Sequence, residues 1–188
     1  GNTTGDEFQI NTYTTSNQNR PSVTSLSDGG FVVTWTSYGQ DGDGGGIYGQ
    51  RYDGLGSTAG SEFLINTETT DSQDDSSVTS LSDGGFVVTW NTWDKAYDSS
   101  VFGQRYDNKG SAAGDEFQIP TATLLDNHNP SVSSLDDSRF VVTWTDAGVR
   151  GRLYDSFGNT AGDEFQINSS GHDPSVASLS DGGFVVTW

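Results

Sequence analysis

Apolar and polar positions along this chain alternate in short runs closed by glycine and aspartate, and the pattern predicts strands. Ser22–Leu26 is a first, small-residue strand, and Asp28-Gly29-Gly30 is a turn that needs positive φ. Phe31–Trp35 (FVVTW) is a second strand, with Phe31, Val33 and Trp35 on one face and Val32 and Thr34 on the other. Ile47–Asp53 is a third strand. It is followed by a glycine-rich turn over Gly54–Gly60 and a fourth strand over Glu62–Asn66. No window carries a helical period with caps.

The pattern repeats. SLSDGGFVVTW stands at Ser25–Trp35, Ser80–Trp90 and Ser178–Trp188, and SLDDSRFVVTW at Ser134–Trp144. EFxIN recurs at Glu7–Asn11, Glu62–Asn66 and Glu164–Asn168, with a variant at Glu116–Pro120. YGQRYD at Tyr48–Asp53 returns as FGQRYD (Phe102–Asp107) and RGRLYD (Arg150–Asp155). Four short strands in a unit of about 50 residues, nearly four times over, predict an all-β fold, a β-propeller of four blades or an incomplete one. A β-solenoid is the alternative, with rungs usually shorter than this unit. FVVTW suits a strand packed on both faces, and the small first strand suits the crowded axis.

The predicted organisation is a single repeat domain over 1–188. A strand of the fourth blade falls in 1–20, blades one to three in 21–70, 71–124 and 125–170, and part of blade four in 171–188. Fifteen strands result, and the N-terminal one is placed to close the ring beside the C-terminal pair. The absence of Met and the stop within a repeat are expected of a piece of a longer chain.

Charge narrows the partners. Eight basic against 26 acidic side chains give −18, which excludes nucleic acid and disfavours anionic membrane surfaces. No apolar run approaches the roughly 18 residues of a spanning helix. With no Cys there is neither a disulfide frame nor a thiolate metal site.

The combination EFQINT, then PSVTSLSDGGFVVTW, then GQDGDG and GIYGQRYD resembles repeats of large secreted bacterial proteins found alongside RTX-type calcium-binding and adhesin modules. The resemblance spans essentially the whole chain. It implies export, an extracellular or cell-surface location and a multidomain parent with further repeats.

Candidate sites sit where the copies differ. Ser37–Gly46 alternates Asp and Gly, as calcium loops do, and makes Asp41 and Asp43 the metal candidates, with calcium as the expected ion. Trp93, Asp94 and Tyr97 in the equivalent loop, with Tyr38, are the ligand candidates, an aromatic platform beside carboxylates. Asp28, Asp83, Asp137 and Asp181 read as turn residues. Arg51 and Arg105 read as structural partners of Asp53 and Asp107. A Gln or His followed by Asn or Asp precedes each first strand (Gln18-Asn19, Gln73-Asp74, His128-Asn129, His172-Asp173) and would ring one face of the propeller. No G-x-S-x-G, HExxH, P-loop or Rossmann motif is present.

The functional expectation is a non-enzymatic adhesion or interaction scaffold, calcium-stabilised, whose partners are glycans or cell-surface proteins. A lectin-like propeller working through the variable loops is the rival. An accessory domain of a polysaccharide-active enzyme is a third reading.

Overall fold

A computed structural model of the chain describes residues 5–94, 96, 98–120, 127–135 and 139–188. Every helix or strand among them is a strand. Strands β1 (Gln18–Ser25), β2 (Phe31–Tyr38), β3 (Gly45–Tyr52) and β4 (Phe63–Leu64) form the first antiparallel sheet in chain order. The second is β5 (Ser72–Ser80), β6 (Phe86–Trp93), β7 (Ser99–Tyr106) and β8 (Phe117–Gln118). The third is β9 (His128–Ser134), β10 (Phe140–Thr145), β11 (Val149–Tyr154) and β12 (Phe165–Asn168). A hairpin of β13 (Ser175–Ser178) and β14 (Phe184–Thr187) is the fourth.

Local sequence explains each hairpin. Gly29 takes φ 84°, and a Cβ on Gly30 would collide with the Tyr52 carbonyl, so only glycine fits both positions. Asp28 Oδ1 accepts the Gly30 amide at 2.9 Å, and Asp83 and Asp181 do the same in their copies. The arginine pairing differs from the sequence expectation. Arg51 reaches Asp28 at 3.1 Å and Arg105 pairs with Asp83, so these arginines tie the third strand to the first turn and not to Asp53 or Asp107. Asp53 and Asp107 instead cap their own turns through backbone amides. Asp137 lies outside the described residues.

The first strands β1, β5, β9 and β13 stand side by side, joined by side chains and not by a backbone ladder. Ser22 Oγ accepts the Val78 amide, Ser77 Oγ the Val132 amide and Ser131 Oγ the Val176 amide, at 3.1–3.2 Å. Thr24, Thr79 and Ser133 repeat this two residues on. That is why the first strands are rich in Ser and Thr: a hydroxyl supplies the acceptor a neighbouring backbone cannot.

Apolar faces fill the space between sheets. Leu26, Val32, Ile47 and Ile65 of the first sheet pack on Val78, Phe86, Val88 and Trp90 of the second. Leu81, Val87, Val101 and Ile119 meet Val132, Phe140, Val142 and Trp144 in the same way, and Leu135 and Val141 meet Val176. The fourth-strand motif clamps each interface: the Tyr106 hydroxyl donates to the Ile65 carbonyl and Tyr154 to Ile119. Phe63 and Phe117 tilt onto those same tyrosine rings at 5.5 Å. The N-terminal Phe8 and Ile10 occupy this place against Tyr52 without forming a strand, so the described residues hold 14 strands where fifteen were expected.

The fold is thus all-β and propeller-like. No strand pairing joins the β13–β14 hairpin to the first sheet among the described residues. Val23 is 64% exposed although its equivalents Val78, Val132 and Val176 are buried. At the other end Leu179 and Val185 are 44% and 46% exposed. These are the two halves of the interface that is filled three times elsewhere.

Candidate functional site

Where the four first strands converge, a cavity of about 460 Å³ opens. Its wall repeats one position four times: Arg20, Asp75, Asn129 and Asp173, each followed by Pro-Ser or Ser-Ser. All four hold left-handed backbone, with φ of 53°, 54°, 54° and 55°. Such residues are uncommon outside glycine and cost on the order of 1–3 kcal/mol each. Asn and Asp tolerate the region because their short side chains bond locally, whereas Arg20 has no such compensation. Strand β1 is bulged beside Arg20, between Asn19 and Ser22, and β5 beside Asp75, between Asp74 and Ser77. A bulge re-aims the side chain it carries.

This corrects the sequence reading by one position. Gln18-Asn19, Gln73-Asp74, His128-Asn129 and His172-Asp173 are not equivalent pairs, since the first two copies carry one residue more before Pro-Ser or Ser-Ser. Aligning on PSV and SSV would have picked out Arg20 and Asp75, which the sequence reading passed over.

The charges are paired across blades. Arg20 bonds Asp75 and stands 3.5 Å from Asp74, while Asn129 Nδ2 donates to Asp173. Asn91, buried, donates toward both Asp74 and Asp75 at 3.3 Å. Burial first, then the Asp74 charge, pushes the Asp75 carboxyl above its ordinary value. Arg20 opposes this, and Asp173 adds a smaller push. Burial works against the Arg20 charge, but Asp75 and Asp74 outweigh it and raise its pKa. Asp173 is solvent-exposed, with His172 Nδ1 at 2.8 Å from its second oxygen. Two carboxylates, one half-buried and one wet, therefore share a cavity, an arrangement suited to giving and taking a proton.

The loop candidates fall nearby. Tyr38 and Trp93 are equivalent residues ending β2 and β6, and Tyr38 lies close enough to Arg20 to favour its charge. Trp93 is half-buried, donates from Nε1 to Asp74 at 2.9 Å and tilts over His128 at 5.9 Å. Asp94 caps its own loop through the Ala96 and Asp98 amides, and Tyr97 lies outside the described residues. Asp43 accepts the Asp71 amide at 3.3 Å. Asp41 turns inward, both carboxylate oxygens sealed from water without a well-formed hydrogen bond, and burial pushes its pKa up. Among the described residues no three metal-ligating side chains gather, so Asp41 and Asp43 do not converge with a third ligand.

An all-β propeller-like molecule with carboxylates where its first strands converge is the class these features define. No family model matches the chain, and no curated protein does. Among solved structures it is similar to an α-L-arabinofuranosidase from Fusarium graminearum held with an iminosugar inhibitor. There the TM-score is 0.66 at 12% identity, over 95% of this chain and 61% of that one. A Penicillium chrysogenum α-L-arabinanase complexed with arabinobiose gives 0.59 at 11%, over 89% and 58%. An endo-arabinase from Bacteroides thetaiotaomicron gives 0.54 at 14%, over 88% and 68%. The chain thus spans roughly three fifths to two thirds of the length of these structures. The likeness is one of fold, and it overturns the expectation of a non-enzymatic adhesion scaffold: the architecture is shared with glycoside hydrolases.

Proposed function

We propose that the four sheets act as blades around one axis and that the axial cavity binds a glycan and hydrolyses a glycosidic bond. The observation that carries this is the ring of four left-handed, non-glycine residues presenting Asp75 and Asp173 to one cavity. Strain held at the same position in every blade is unfavourable for folding alone and marks a site where side-chain direction matters. The likeness to arabinan-active enzymes supports the substrate class.

In this reading Asp75, whose carboxyl burial and the Asp74 charge push above its ordinary value, is the acid that gives its proton to the leaving glycosidic oxygen as the C–O bond breaks. Asp173 takes a proton from the water whose oxygen bonds the anomeric carbon. Arg20 holds Asp75 in place, and Asn129 holds Asp173. The test is reducing-end release from linear arabinan and from xylan by the intact chain. Asp75→Asn and Asp173→Asn are each expected to lower the rate by about 10²-fold or more. Variants as active as the wild type would refute the assignment.

A second reading is favoured by the same pairings, which occupy both carboxylates: a lectin-like propeller that binds without cleaving. Saturable binding of either polysaccharide with no reducing-end release would select it.

A further inference from the structure

A second cavity, of about 410 Å³, lies between the first and second sheets. We propose that it is an extension subsite, seating the next sugar of a chain whose neighbouring unit lies in the axial cavity, with Trp93 as its specificity-determining wall. This rests on the glycan reading of the axis.

Three observations carry it. The cavities adjoin through consecutive residues: Asp75 lines the axial one and Asp74 the second, with Asn91 Nδ2 at 3.3 Å from a carboxylate of each. A single amide nitrogen within reach of both carboxylates sets the two linings side by side, close enough for one ligand chain to span them.

The wall is also pre-set. The Trp93 indole is held at its nitrogen by Asp74 and supported by the His128 ring of the third sheet. A ring already fixed loses little freedom when a ligand covers it. Ala147 at the equivalent position of the third copy shows that this aromatic is not demanded by the repeat.

The chemistry of the lining then selects the ligand. Opposite Trp93, the β2–β3 loop brings Asp43 and Gly44 against Ser72. An apolar ring face beside carboxylate acceptors fits a sugar, which offers C–H groups on one side and hydroxyl donors at its edge. Among the described residues the lining is acidic, with Asp43, Asp71, Asp74 and Asp94 and no basic side chain, which favours a neutral sugar over a uronate.

The experiment uses the intact chain carrying Asp75→Asn, so that ligands survive. Calorimetry compares arabino- and xylo-oligosaccharides of two and six units. The six-unit probe is expected to bind about tenfold more tightly than the two-unit probe. Trp93→Ala should bring that ratio close to one, while Trp93→Phe, keeping a ring and losing the N–H, should retain most of it. Asp43→Tyr, which fills the groove from the opposite wall, should also bring the ratio close to one, and it serves if Trp93→Ala fails to fold. A length preference that survives both Trp93→Ala and Asp43→Tyr overturns the subsite. Binding of the two-unit probe with no gain for the longer one overturns it too, while leaving the axial reading intact. If no probe binds, both fall together.

Discussion

Truncating one valine at two equivalent positions reads out whether the sheet array is open in solution. Val23 and Val78 occupy the same place in β1 and β5, yet Val23 is 64% exposed and Val78 only 7%. Val78 sits in the interface with Leu26, Val32, Ile47 and Ile65. Val78→Ala removes two buried methyl groups, about 0.8 kcal/mol each, and leaves a small void, giving about 2 kcal/mol. Val23→Ala removes groups already wet and should cost under about 0.5 kcal/mol. For a chain of this size the corresponding drops in Tm are about 4–8 °C and about 1–2 °C. Urea unfolding followed by tryptophan fluorescence measures both, with an unchanged m-value as the sign that the unfolded state is the same. Equal costs would refute the reasoning, because Val23 would then be covered in solution and the face between the first sheet and the β13–β14 hairpin closed.

Three further outcomes are expected. Asp74→Asn removes the like charge that helps raise Asp75, so the alkaline limb of the hydrolysis pH profile should move to lower pH; an unmoved limb would remove Asp75 as the acid. Gly30→Ala drives a methyl into the Tyr52 carbonyl and should cost about 1–3 kcal/mol in urea unfolding, while Gly183→Ala, the equivalent change in the last copy where no carbonyl stands against the added methyl, should cost less. Burial works against the Asp41 charge and a bound cation would offset it, so millimolar calcium should raise Tm more than magnesium at matched ionic strength, and Asp41→Asn should abolish the difference; an equal rise with both ions means screening alone.

Strand identity and face were legible in the amino-acid order because they are local. FVVTW alternates Val33 and Trp35 toward one neighbour and Val32 toward the other, and the clusters they join lie on opposite sides of the first sheet. Asp28-Gly29-Gly30 specifies its turn through one side-chain acceptor and two glycines, all within three residues. The Ser and Thr of the first strands were visible too, but their use as acceptors for the next sheet was not, since each partner lies 45 to 56 residues away. The site was hidden for the same reason. Arg20, Asp75, Asn129 and Asp173 are three residue types marked only by the Pro-Ser or Ser-Ser that follows, and an extra residue ahead of the first two breaks their alignment with the others. Only the left-handed turn of the backbone at all four, with a bulge beside Arg20 and Asp75, brings them to one cavity. Trp93 read as a loop aromatic, and its partner Asp74 lies across a strand pair, where side-chain geometry and not sequence spacing determines the contact. A repeating sequence specifies a repeating blade, because the same local forces act in every copy. What the sheets enclose depends on residues that differ between copies and meet only when the sheets pack side by side.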